Sequence, residues 1–185
     1  IGALDILVNN VGFFEVRNFF ETDDAAWTSM FELNVMSGVR MARALLPAML
    51  ARSHGRVVFI ASEQSLKPNP EMAHYAMTKV ANVSVARALA ELTKGTAVTV
   101  NSVLVAPTWT EGVEEFLQPM ARQQGVSVDQ MRTDYFKGDG LSSLLQRFAT
   151  PDEIANVVAF LASPLSSAIN GAAVRADGGI VRSML

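Results

Sequence analysis

Three short apolar runs, each separated from the next by a helix-length stretch, restrict this chain to a narrow set of folds. They are DILVNN at 5–10, RVVFIA at 56–61 and AVTVNSV at 97–103. Their apolar residues are continuous, as in strands covered on both faces. Between the first two runs, Trp27, Phe31, Val35, Met36, Val39 and Leu46 recur at helical spacing and form a stripe suited to packing on a sheet. Thr22 or Asp23 is placed to cap this helix, which is expected to run to about Arg52 with a kink at Pro47. Between the second and third runs a helix is expected from near Glu71 to about Leu92. It is rich in alanine (Ala73, Ala76, Ala81, Ala86, Ala88, Ala90) and ended by Lys94-Gly95. Strand, helix, strand, helix, strand in this rhythm predicts an α/β fold with a mostly parallel sheet and right-handed crossovers.

After the third run, residues 111–147 carry no strand signal. Two helices are expected there, over 111–123 and 128–136, broken by Gly125, Gly138 and Gly140. A long excursion at the carboxyl end of a strand suits either a substrate lid, taken as residues 108–147, or a structural detour. Thr150-Pro151-Asp152-Glu153 then reads as a capped helix start, and AAVRA at 172–176 as a last strand turning at Asp177-Gly178-Gly179. With 185 residues, half of them hydrophobic, residues 1–185 are read as a single domain.

Composition narrows the chemistry. With no cysteine, disulfides and thiol catalysis are excluded. A net charge of −3 with no run of Lys or Arg argues against nucleic acid or an anionic membrane as partner. No apolar segment reaches the roughly 18 residues of a membrane span, and a cytoplasmic protein is expected. His54 and His74 do not have zinc-binding spacing, so no metal is expected.

The polar residues at the strand ends are more telling. The second run closes on Ser62, and the following helix carries Tyr75 and Lys79 on one face, one turn apart. The loop between is long enough to bring Ser62 beside Tyr75. A phenol titrates near pH 10, and an ammonium one turn away is expected to lower that value. Such a set can handle the proton of an alcohol–carbonyl pair but carries no electrons, so a redox reaction would need a cofactor. A Tyr-x-x-x-Lys pair alone occurs on many solvated helices; it gains meaning from Ser62, Asn34 and the strand end at Asn9, Asn10 and Gly12. Asn34, within an apolar stripe, can bend its helix, bind a buried partner or act in the site. Phe13, Phe14, Trp109, Phe116 and Met120 suggest an apolar pocket, and His74 could line it.

Taken together these residues resemble the short-chain dehydrogenase/reductase family. Asn9-Asn10-Val11-Gly12 is similar to its Asn-Asn-Ala-Gly motif, and Asn34, Ser62, Tyr75 and Lys79 fall on its four catalytic positions. NSVLVAPTWT resembles its strand-end motif and RADGG its closing segment. The resemblance implies a Rossmann-like doubly wound sheet and NAD- or NADP-dependent interconversion of a small-molecule alcohol and carbonyl. It assigns proton transfer to Tyr75, support of Tyr75 and of the cofactor ribose to Lys79, substrate polarisation to Ser62 and a relay water to Asn34. Asn9, Asn10, Gly12 and Thr110 would line the cofactor. A homodimer or homotetramer is implied, with the helices at 24–50 and 73–92, the last helix and the last strand as interface surfaces. Val105-Ala106 stands where the family has Pro-Gly. The family's first strand, Gly-rich turn and the residues choosing NAD or NADP have no counterpart in residues 1–185. The expectation is therefore an N-terminally incomplete fold, with 5–10 as an apolar sheet edge and weak dinucleotide binding. The alternative is a catalytically inactive fragment or interaction module. An epimerase or dehydratase on the same fold is a third reading.

Overall fold

A computed structural model describes residues 3–184. Residues 1, 2 and 185, part of the single-domain reading, lie outside the described residues. The apolar runs form β1 (Ile6–Asn9), β2 (Gly55–Ser62) and β3 (Val98–Val105), and the last strand is β4 (Ala173–Ala176). They lie side by side in the order β1-β2-β3-β4, all parallel, with Leu7 opposite Val57 and Val57 opposite Val100. This is the parallel, helix-flanked sheet that the continuous apolar runs predict.

The helices are α1 (Asp24–Phe31), α2 (Ser37–Arg52), α3 (Ala73–Glu91), α4 (Glu111–Gln124), α5 (Val128–Asp134) and α6 (Pro151–Ala162). Asp23 caps α1 by accepting from the Ala26 amide. The single helix expected over 24–52 is divided by a π-helical turn at Glu32–Met36, centred on Asn34. α2 then runs through Pro47 without ending, since the missing amide removes one bond only. α3 starts two residues later than expected because Pro70–Met72 forms a separate 3-10 turn. It ends at Glu91, and Gly95, with φ +79°, lies in the turn beyond. Thr150 and Glu153 form a reciprocal capping box at the start of α6.

Side-chain alternation divides the core into two layers. Leu7, Val57, Phe59, Val98 and Val100 face Ala42, Leu46 and Met49 of α2 and Ala86 and Ala90 of α3. The small side chains of α3 let it lie close to the sheet. On the opposite face Val58 and Val103 pack against Leu161 of α6, with Val157, Val158 and Val174 around them. The chain steps across the sheet in one direction throughout, yet α6 lies on the face opposite α2 and α3. The last connection therefore has the opposite hand to the first two. Such crossovers are right-handed in nearly all sheets, and this exception runs from Ala106 to Ala172 with α4 and α5 in its path.

Among the described residues β1 has one strand neighbour, β2, and its other side is an edge. Ile6 and Val8, on the α6 face, are 51% and 39% exposed.

Leu161 is fully buried and ties α6 to the sheet. Leu161→Ala is expected to cost about 2–5 kcal/mol, read as a lower midpoint of urea unfolding; a midpoint equal to wild type would show that α6 is not anchored this way.

Candidate active site

The carboxyl ends of β1 and β2 and the first turns of α3 meet in one place. β2 ends at Ser62, whose extended backbone lets its hydroxyl oxygen cap the next turn by accepting from the Gln64 amide at 3.1 Å. α3 begins two residues before Tyr75 and carries Lys79 one turn further on. The buried Lys79 ammonium donates to the Ile60 carbonyl at 3.0 Å, pinning α3 to β2. Its nitrogen lies 5.5 Å from the centre of the Tyr75 ring. Ser62 lies close enough to the Tyr75 phenol to act on its titration. Ser62, Tyr75 and Lys79 are thus brought together.

Charge in the site differs from the expectation. The Tyr75 phenol is pushed well above its ordinary value, by burial first and then by the Glu63 carboxylate, with Ser62 opposing. The expected lowering by Lys79 is absent from this structure, because the ammonium is turned to the Ile60 carbonyl rather than to the phenol oxygen. Burial lowers Lys79 to about 8, with Glu63 acting against that shift. Glu63 is itself raised by burial, despite its bonds to Ser62 and Gln64.

Asn34 enters the site as a clamp. Its side-chain oxygen accepts from the Phe13 amide at 2.8 Å and its nitrogen donates to the Phe13 carbonyl at 2.8 Å and to Thr78 Oγ1 at 3.1 Å. Its backbone carbonyl accepts from the Asn82 side chain at 3.1 Å. Asn34 thus fastens the loop after β1 to the inner face of α3. Gly12 is exposed over this junction; a β-carbon there would stand 3.3 Å from Lys79 Nζ and 3.8 Å from Asn34 Oδ1. Asn10 is exposed beside it. The Asn9 side chain points elsewhere, against Gly38 of α2, and its buried amide nitrogen has no hydrogen-bond partner. Thr110 caps α4 by accepting from the Val113 amide at 3.3 Å. Of the expected cofactor residues, then, Gly12 and Lys79 converge with Tyr75, whereas Asn9 faces α2.

Of the aromatic residues, Phe14 meets the Tyr75 ring edge-on at 6.3 Å and Phe116 of α4 at 5.2 Å, so the excursion leans over the phenol through Phe14. Trp109 packs on Phe148 and Arg132, and Phe13 is half exposed. His74 is buried against Trp27, with Nε2 3.6 Å from a Glu15 oxygen, and does not line the site. His54 is exposed at 3.9 Å from Asp5. No group of metal-ligating residues occurs among the described residues, and no described helix is long and apolar enough to cross a membrane.

Two site residues escape the sequence reading. Glu63 follows Ser62 directly and is only 6% exposed, and Tyr135, after α5, is near enough for the Glu63 charge to raise its phenol. Adjacency to Ser62 is a signal for Glu63, since residues just after a parallel strand line the ligand-facing edge of such sheets. Nothing in the local pattern marks Tyr135.

Over residues 1–181 the sequence matches the family described as enoyl-(acyl carrier protein) reductase. YvrD, an uncharacterised oxidoreductase of Bacillus subtilis (strain 168), is 54% identical over 184 residues, which cover 100% of this chain and 70% of the relative. The 3-oxoacyl-[acyl-carrier-protein] reductase FabG of Escherichia coli (strain K12) is 32% identical over 179 residues, 97% of this chain and 67% of the relative. The crystal structure of L-sorbose reductase from Gluconobacter frateurii, complexed with NADPH and L-sorbose, matches with a TM-score of 0.91 at 29% identity. That match covers 100% of this chain and 69% of the reductase.

Lys79 has a testable linkage. Its pKa is depressed from 10.5 to about 8, so the charged form is disfavoured in the fold below pH 8, and that penalty is relieved as pH rises towards 10.5. Relative to Lys79→Met, wild type is expected to gain stability between pH 8 and 10, by about 2 kcal/mol. Urea unfolding of both proteins across that range checks this; a constant difference would contradict it.

Proposed function

The chain belongs to the short-chain dehydrogenase/reductase family, and from that premise we propose that it interconverts a small alcohol and its carbonyl compound, with Tyr75 exchanging the proton. The observation that carries this reading is the meeting of Tyr75 with Ser62 and Lys79, with the open Gly12 above the Lys79 ammonium.

The residues present fit the nicotinamide end of a dinucleotide. Gly12 leaves uncovered the approach that a β-carbon would obstruct, and the Lys79 ammonium lies directly below it. Asn10, Gly12 and Lys79 would hold this end, and Thr110, the cap of α4, would line the cofactor. When bound, NAD or NADP supplies or accepts the hydride. The sorbose reductase complex contains NADPH.

The electrostatics favour the reducing direction. A phenol held above its ordinary value stays protonated at neutral pH and can give its proton to a carbonyl oxygen as negative charge develops there. The phenolate left behind lies near the Lys79 ammonium, still charged below about pH 8. Ser62 orients the oxygen beside Tyr75. Asn34 holds the Phe13–Phe14 loop against α3 and so sets one wall of the site. Residues 108–147 serve as the substrate lid, with Phe116 and Phe14 closing over Tyr75. The protein assembles as a homodimer or homotetramer through the outer faces of α2 and α3, where Met41 and Val80 are exposed.

Tyr75→Phe keeps the ring and removes the proton donor. With a panel of small ketones and NADPH or NADH, followed by loss of reduced-dinucleotide absorbance, the variant is expected to lose at least about 10²-fold in kcat/KM. Turnover at the wild-type rate would remove Tyr75 from the chemistry and overturn the reading.

A further inference from the structure

Ser62 is hydrogen-bonded on two sides by the residues that follow it. Ser62 Oγ lies 2.5 Å from Glu63 Oε2 and accepts from the Gln64 amide at 3.1 Å. The other Glu63 oxygen is 3.4 Å from the Gln64 side-chain nitrogen. Glu63 is buried, so water does not compete for these bonds. The charged and titratable groups facing it are Lys67 from its own loop, Tyr75 and Lys79 from α3, and Tyr135 beyond α5. Lys67 is drawn aside by the Asp139 carbonyl at 2.8 Å.

A serine hydroxyl has one proton to donate. If Glu63 is ionised, that proton is held by the carboxylate, and Ser62 presents an approaching substrate oxygen with a lone pair only. If Glu63 is neutral, its O–H donates to Ser62 Oγ and the Ser62 proton is released towards the substrate oxygen. A carbonyl oxygen needs donors and so needs the second arrangement; an alcohol O–H can donate to the first.

We propose that Glu63 is a positioning residue that acts through Ser62: in its neutral form it turns the Ser62 hydroxyl into a donor for carbonyl reduction, and as a carboxylate it turns Ser62 into an acceptor for the alcohol. This rests on the oxidoreductase reading above. Passing from the carboxylate to the neutral arrangement takes up one proton at Glu63 from solvent and reverses the Glu63–Ser62 hydrogen bond; no other reactant is needed. Burial of the carboxyl favours the neutral form, in line with the reducing direction.

The test is the pH profile of carbonyl reduction in wild type and Glu63→Gln, whose side-chain amide donates to Ser62 at every pH. Wild-type kcat/KM is expected to fall roughly 10²-fold as Glu63 ionises, the cost of losing one donor to a developing oxyanion. In Glu63→Gln that limb is absent. A Glu63→Gln profile with the wild-type limb and midpoint would overturn the proposal. Infrared spectra of wild type and Ser62→Ala against pH provide a second readout independent of turnover. A protonated-carboxyl band is expected in wild type, with a midpoint that moves when Ser62 is removed; an unmoved midpoint overturns the coupling even if Glu63→Gln fails to fold. If wild type reduces no carbonyl at any pH, the oxidoreductase reading fails, while the infrared midpoints still decide whether Glu63 and Ser62 share a proton.

Discussion

A buried ammonium donating to a strand-end carbonyl holds this site together. Removing an ammonium from water costs on the order of several kcal/mol, and Lys79 recovers part of that through its bond to the Ile60 carbonyl. The carbonyl is available because the pairing of β1 with β2 ends at Asn9 opposite Phe59, one residue before Ile60. The bond places α3 against that strand end. Tyr75, one turn earlier on the same face, is thereby set beside Ser62. Had the ammonium pointed into solvent, the Tyr-x-x-x-Lys spacing would have made an ordinary helix surface.

The opposite wall depends on Asn34. An asparagine inside a helix is a weak helix former that competes for backbone partners. Here the helix opens into a π turn at that residue, and both the amide and the backbone carbonyl are used: one holds Phe13, the other receives Asn82. Such turns recur at functional sites because they redirect a side chain without ending the helix. The result is a fixed start for the loop that carries Phe14 onto Tyr75.

The balance of charge follows from burial more than from pairing. Lys79 and Tyr75 are both shifted towards their neutral forms, as desolvation requires for an ammonium and a phenol alike. Glu63 adds a third buried group, and its neighbours connect the Ser62 turn to Tyr135 in the excursion between β3 and α6. Acid–base behaviour at this site is therefore a property of the cluster.

The residue pattern alone was sufficient for the parallel sheet, the cap at Thr150 and the placing of Ser62, Tyr75 and Lys79 near one another, and it narrowed the first helix cap to Thr22 or Asp23, because these depend on apolar runs, local hydrogen bonds and helical spacing within short stretches. It could also indicate that Asn34 mattered, since a polar residue in an apolar stripe needs a reason. Only the tertiary structure decided that Asn9 faces α2, that His74 is buried away from the site, that Glu63 and Tyr135 belong to it, and that the last crossover reverses its hand. Those outcomes depend on which groups meet across distant parts of the chain and on how deeply they are buried. Even the sign of the Tyr75 shift followed that rule. Spacing placed an ammonium nearby, but burial and the direction of its hydrogen bond set the result.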